Sequence, residues 1–227
     1  MREPPKQIRP HTGKLGVLLP GLGAVATTFV AGVMAARRGL GKPIGSMTQL
    51  GTIRLGKRTD DRAPLIRDFV PLAPLEDLVF GGWDIFPDNL LESAKHADVL
   101  SRDHLDPIAE ELAAIKPMKG AFFSEYVKRL HGTHVKEAKT KAELVEQLRQ
   151  DIRDFKKSEG VDRVVAVWCG STEIYIEPTA VHESIAAFEK GLQENHPAIA
   201  SSQLYAWACL KERVPYANGS PNLSVDF

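Results

Sequence analysis

At 227 residues, 43% hydrophobic and 26% charged, the chain has an ordinary globular composition and a length that suits one large domain or two small ones. Its 29 lysines and arginines balance 29 aspartates and glutamates, which leaves no electrostatic footprint for nucleic acid or an anionic membrane. Two cysteines, Cys169 and Cys209, do not suggest a disulfide scaffold, and no segment is apolar for long enough to span a bilayer.

The opening "MREPPKQIRPHTGK" is basic and proline-bearing without an apolar signal core, so residues 1–14 read as a flexible tail and the chain as a cytoplasmic enzyme or binding protein. Leu15 to Leu19 then reads as a buried strand. "VATTFVAGVMAAR" reads as a helix with small residues on one side, closed by Arg37, Arg38 and Gly39. Between strand and helix, Gly21 permits a tight turn, Gly23 leaves room for a pyrophosphate, and Ala26 lets the helix pack close to the strand. That is G-x-G-x-x-G/A in its strand–turn–helix context, with the free N–H groups of a helix start offered to an anion. A glycine-rich turn with no ligand is the plain alternative.

"SMTQLGTIRLGKR" holds a strand or a loop, and Arg54 to Arg67, punctuated by Pro64, reads as exposed. A second buried strand runs from Leu78 to Gly82, with Trp83 and Asp84 at its carboxyl end. "NLLESAKHADVL" is helical, with Leu90, Leu91, Ala94, Ala97 and Val99 on one face, and "LDPIAEELAAI" is a further helix stopped by Lys116-Pro117. A short strand is expected at Ala121 to Phe123. Thr140 and Glu143 form a capping box ahead of Leu144, Val145, Leu148, Ile152 and Phe155 at helical spacing, with a solvated face opposite. Val164 to Trp168 is the strongest strand. "AVHESIAAFEKGL" is a helix with Val181, Ile185, Phe188 and Leu192 on one face, "SSQLYAWACLKE" is another, and "VPYANGSPN" is a strand-to-loop step.

Continuous apolar strands alternating with helices indicate an α/β fold, a Rossmann-like doubly wound parallel sheet covered on both faces. Ligands of such sheets sit beyond the carboxyl ends of the strands. Four strand ends carry glycine-rich or polar tips there: "PGLGAVA", "GGWDI", "CGSTE" and "NGSP".

No acidic residue stands at positions 40–59, where a dinucleotide fold usually holds the ribose. Asp84 is the candidate instead; its alternative is a cap for the helix that follows. Arg54, Lys57 and Arg58 read as an exposed basic loop in preference to a 2′-phosphate site. Ser171, Thr172 and Glu173 bring hydroxyls and backbone N–H groups suited to a ribose or an amide. Cys169, without a local histidine partner, reads as structural. His131 and His134 lack further ligands at metal spacing, so no metal site is expected.

Taken together, "PGLGAVATT", "GGWDI", "AVWCGSTE" and "VPYANGSPN", in this order and at these separations, resemble the inositol-3-phosphate synthase (myo-inositol-1-phosphate synthase) family from about Leu15 onward. The apolar Val25 suggests a bacterial or archaeal-type member. The resemblance implies an NAD-dependent isomerase of inositol and phospholipid biosynthesis. Glucose 6-phosphate would become inositol 3-phosphate by oxidation, intramolecular aldol closure and reduction, with the cofactor returned as it came. It implies that Gly21, Leu22, Gly23, Ala24, Val25 and Ala26 wrap the pyrophosphate. Asp84 would bind the adenosine side, Ser171 and Thr172 would line the nicotinamide end, and Asn218, Gly219 and Ser220 would lie at the active-site mouth. The family's lysine-bearing "D-F-K-x-G-Q-T" region is not present. The expectation is therefore an NAD-binding domain at 15–217, the start of a truncated catalytic domain at 218–227, no catalytic residue within the chain, and a homotetramer at full length. A generic NAD-dependent dehydrogenase and a non-catalytic nucleotide-binding regulator are the alternatives.

Overall fold

The computed structural model describes residues 12–226, so residues 1–11 of the expected tail and Phe227 lie outside it. In chain order the strands and α-helices are β1 (Leu15–Pro20), α1 (Ala24–Arg37), α2 (Met47–Leu50), α3 (Ile66–Phe69), β2 (Leu78–Asp84), α4 (Leu90–Ala97), α5 (Arg102–Leu105) and α6 (Ala109–Ala114). They continue with β3 (Met118–Lys119), α7 (Lys141–Glu159), β4 (Arg163–Trp168), α8 (Ile185–Gln193), α9 (Ser201–Lys211) and β5 (Tyr216–Asn218).

The five strands form one sheet in the order β3-β2-β1-β4-β5, and every pairing is parallel. The chain steps outward from β1 to β2 and β3, then returns to build β4 and β5 on the other side. The reversal between β1 and β4 opens a crevice at their carboxyl ends, which is where such sheets hold ligands. β1 is buried on both faces: Val17 and Leu19 point to one core, Leu18 to the other. Its continuous apolar run follows from that double burial.

The two cores differ. On one face, α1 and α4 pack over an aliphatic cluster that includes Leu19, Leu22, Val30 and Leu90. On the other, α7 and α9 cover Trp83, Trp168, Tyr205 and Phe155. Phe155 lies on bare backbone: a Cβ at Gly16 or at Gly81 would come within 2.7 Å of its ring. Each fully buried Leu or Ile contributes about 1.5–3 kcal/mol by leaving water.

Several expectations change. The ambiguous stretch near Met47 forms one helical turn followed by a bridge between Thr52 and Leu65. The helix expected at 105–115 is interrupted: Asp106–Ile108 is a 3-10 turn around Pro107, whose ring and missing N–H oppose a continuous α-helix. The short strand forms at Met118–Lys119, where the backbone reaches β2, and leaves Ala121 to Phe123 as loop. Val99 and Ile185 are 58% and 67% exposed, because Val99 lies beyond the end of α4 and Ile185 is the first residue of α8. At α7 the Thr140 side chain accepts from the Glu143 amide (3.2 Å), whereas Glu143 Oε2 accepts from Lys139 N (2.7 Å), one residue before the N-cap. The outer face of α7 is not simply solvated: Arg149 and Arg153 both reach Glu212 at the end of α9.

Candidate functional site

The carboxyl ends of β1, β2, β4 and β5 surround an open cavity of about 550 Å³. Its first wall is the turn between β1 and α1. Gly21 has φ +89°, and a Cβ there would collide with the backbone of Gly170, so this position must be glycine on two counts. Its amide donates to Trp83 O (2.8 Å). Leu22 is buried in the aliphatic core, and its amide donates to Asp84 Oδ2 (2.6 Å). Gly23 is the N-cap of α1, with open space where a Cβ would stand. Ala24 and Val25 line the cavity; Ala26 is fully buried and lets α1 lie close to the sheet.

The start of α1 has no side-chain cap and no acidic residue in its first turn. The helices at Leu90, Lys141 and Ile185 differ: Asn89, Thr140 and Ser184 each cap them with a side-chain oxygen. An uncapped helix start whose first residues face a cavity presents N–H groups and a partial positive charge to an anion.

Asp84 stands opposite. Its Oδ2 accepts from Leu22 and its Oδ1 from the Phe86 amide (3.0 Å), so it pins the glycine turn to the end of β2. Four lone pairs on the carboxylate leave capacity for a further donor from the cavity it lines. The alternative of a helix cap falls, because Asn89 caps the next helix.

The second wall comes from β4 and β5. The Cys169 amide donates to Pro20 O (2.9 Å), tying this loop to the first wall. Ser171, Thr172, Gly219 and Ser220 line the cavity. Asn218 does not: its amide group donates to Asn222 O (2.6 Å) and Ser224 Oγ (3.2 Å), and its Oδ1 accepts from Ser220 N (3.0 Å). Leu22 and Ala26 are likewise behind the wall, so these three shape the site without facing it. Cys169 also lines the cavity, and burial pushes its thiol up, away from a reactive thiolate.

A third wall, absent from the sequence reading, is the segment after β3. Gly120, Ala121, Phe122, Val127 and Leu130 line the cavity. Tyr205 OH accepts from Ala121 N (2.7 Å), Ser201 Oγ from Phe123 N (3.1 Å), and Tyr126 OH donates to Pro197 O (2.7 Å). Lys141, 4% exposed, sends its ammonium to Tyr126 OH, His196 O and Ile199 O at 3.0, 2.8 and 2.6 Å, beneath the rings of Phe123 and Tyr126. Burial lowers its pKa to about 8. A first-turn lysine of an amphipathic helix gave no signal of this in the sequence. Asp151 was hidden for the same reason: it accepts from Trp83 Nε1 (2.6 Å) and pairs with Lys136 (2.8 Å). His134, in the same segment, donates its amide to Ile85 O (2.8 Å). Among the described residues no group of three or more His, Cys, Asp or Glu could hold a metal ion.

The lining therefore offers backbone amides, hydroxyls and the Asp84 carboxylate, with the Glu173 carboxylate held by Ser202, and no lysine or arginine. It is a set for holding a hydroxyl-rich anionic molecule. It lacks a cation to polarise a carbonyl.

Comparison with known proteins gives a consistent result. A family model for NAD binding, described as myo-inositol-1-phosphate synthase, matches residues 15–227. Inositol-3-phosphate synthase 1 of Bacteroides thetaiotaomicron is 52% identical over 223 residues, covering 97% of this chain and 51% of that protein. Inositol-3-phosphate synthase 1 of rice, Oryza sativa subsp. japonica, is 35% identical over 92% of this chain and 44% of its own. The crystal structure of inositol-3-phosphate synthase from Caenorhabditis elegans superposes with a TM-score of 0.85 at 26% identity, over 94% of this chain and 45% of that one. The chain spans about half the length of the relatives it matches.

Proposed function

The chain belongs to the myo-inositol-1-phosphate synthase family, and on that premise we propose that it supplies the NAD-binding part of an enzyme isomerising glucose 6-phosphate to inositol 3-phosphate. The observation that carries this is the glycine turn: an uncapped helix start aimed into the cavity, with open space at Gly23.

The residues present fit the cofactor. The amides at the start of α1 would meet the pyrophosphate, with Gly21 shaping the turn against Gly170 and Gly23 giving access to bare backbone. Asp84 would accept a ribose hydroxyl of the adenosine side while holding the turn through Leu22. Ser171 and Thr172 would line the nicotinamide end, and Gly219 and Ser220 the mouth. NAD would supply the hydride acceptor and donor for the sugar. The chain's own groups bind, orient and exclude water; they offer no cation where charge develops on the sugar oxygen. Each missing oxyanion donor lowers a rate by about 10² to 10³. The 227 residues alone are therefore expected to bind NAD and not to turn over sugar. The same reading carries a cytoplasmic location, a homotetramer and a part in phospholipid biosynthesis for the complete enzyme. Among the described residues no helix is long and apolar enough to cross a membrane.

Calorimetric titration tests the binding: NAD is expected to bind more tightly than NADP, because the Asp84 carboxylate repels a 2′-phosphate. Tighter NADP binding would overturn the assignment of Asp84. Incubation with glucose 6-phosphate and NAD tests the division of labour. Inositol phosphate formed at an intact enzyme's rate would place the catalytic groups within this chain.

A further inference from the structure

The first turn of α9 contributes little to the cavity surface, yet three segments that line the cavity are tied to it. Ser201 Oγ accepts from Phe123 N of the segment after β3. Ser202 donates twice to Glu173, from its amide to Oε1 (2.8 Å) and from its hydroxyl to Oε2 (2.6 Å). Ser224 Oγ donates to the same hydroxyl (2.9 Å), and Gln203 Nε2 to Leu223 O (3.2 Å), which ties in the loop after β5.

Glu173 is the center of this arrangement. It lies two residues past Ser171 and is 8% exposed. Its own amide donates to Asn222 Oδ1 (2.8 Å) while its carboxylate grips Ser202. One residue thus joins the β4 loop, the β5 loop and a helix start. Its carboxylate satisfies an α9 amide that would otherwise be an orphan, and the positive end of the helix favors an anion there. Burial nevertheless raises the pKa of Glu173, the Ser202 bonds opposing the rise. A buried carboxylate is costly unless hydrogen bonds hold it, as those from Ser202 do. The arrangement makes sense if loop position matters to what the loop contacts.

We propose that Glu173 is a positioning residue for the cofactor: through Ser202 it sets the Ser171–Thr172 and Gly219–Ser220 walls that receive the nicotinamide end, and it has no part in holding the adenosine diphosphate end. This rests on the reading of the cavity as an NAD site. The β4 loop meets the glycine turn at Cys169 and Gly170, ahead of Ser171, and neither the turn nor Asp84 makes a hydrogen bond to Glu173 or Ser202, so the two ends are separable.

The test compares affinities for NAD and for ADP-ribose, which lacks the nicotinamide, in the full 227-residue chain. Glu173→Ala is expected to weaken NAD at least tenfold and ADP-ribose less than twofold. Glu173→Gln, whose amide oxygen accepts from the Ser202 amide and whose NH2 donates to Ser202 Oγ, is expected to restore most of the difference. Ser202→Ala, which keeps the backbone bond and removes one of two, is expected to show the same selective loss at smaller size, and serves where Glu173→Ala does not fold. Parallel loss of both ligands, or no loss of either, would overturn the assignment and leave Glu173 a stabilising residue. A wild-type chain that takes neither ligand would overturn the NAD reading itself, and the assignment with it.

Discussion

The two sides of the cavity are built by different means. The turn at residues 20–26 takes its shape from its own residues: a glycine at positive φ, an uncapped helix start and a small residue two places inside the helix. The side beneath α9 is assembled from afar: Ala121 meets Tyr205 across 84 positions, Phe123 meets Ser201 across 78, and Glu173 meets Asn222 across 49. A wall made by local geometry depends on a few irreplaceable residues. A wall made by long-range hydrogen bonds depends on buried polar groups, each costly to leave unpaired.

The largest expected effect lies where the two sides touch. Gly21→Ala places a Cβ against the Gly170 backbone and adds the strain of a left-handed residue. It is expected to destabilise by on the order of 3 kcal/mol or more, read by chemical denaturation, and to damage both sides together. A near-neutral result would show that the β1 and β4 tips can part freely.

The next effect isolates the long-range side through Lys141. Its pKa is about 10.5 in the unfolded chain and about 8 in the fold, lowered by burial and partly opposed by Glu125. A depressed lysine disfavours its charged form, so the penalty is complete below pH 8, shrinks as pH rises, and is gone above 10.5. Stability relative to Lys141→Met is therefore expected to rise between pH 8 and 10.5, by at most about 3 kcal/mol. Denaturation of the two proteins across that range checks it. A flat difference would mean that the three acceptors and two rings hold the ammonium at its ordinary pKa.

Asp84→Ala comes next and probes the side-chain pin on the local side. It leaves the Leu22 and Phe86 amides without their acceptor. The expected cost is about 1–2 kcal/mol, with NAD affinity at least tenfold lower. Lost affinity at unchanged stability would show that the turn holds itself and that Asp84 serves the ligand only.

The legibility of the sequence follows the same division. β1, β2, β4 and α7 announce themselves by apolar runs, helical spacing and a capping box, and the glycine turn by its motif, because each signal lies within one short window. Lys141 and Asp151 are written as surface residues of an amphipathic helix. Only the arrival of Tyr126, His196 and Trp83 from elsewhere in the chain turns them inward. The segment after β3 differs from its sequence pattern for a related cause: Gly120 pairs with β2 and with His134 at once, a bridge that no strand pattern of two or three residues can signal. Asn218, in a motif that does announce itself, spends its side chain on the loop behind the wall.

The smallest expected effect on stability tests whether the local side is shaped for a ligand. Gly23 has extended φ of −81°, so glycine is not needed there for the backbone. A Cβ at this position would meet nothing within 4 Å. Neither backbone conformation nor packing therefore requires a glycine, and valine is the poorer N-cap by about 1 kcal/mol. A branched side chain would nevertheless project from the N-cap of α1, beside the uncapped amides and into the space an anion must enter. Gly23→Val is thus expected to lower the unfolding free energy by about 1 kcal/mol or less and to weaken NAD at least tenfold. Paired measurements of thermal midpoint and calorimetric affinity decide it. Unchanged affinity with an intact fold would mean that the pyrophosphate does not approach the turn at Gly23. A collapse of the fold would mean that the open space there is closed by a motion of the first turn of α1.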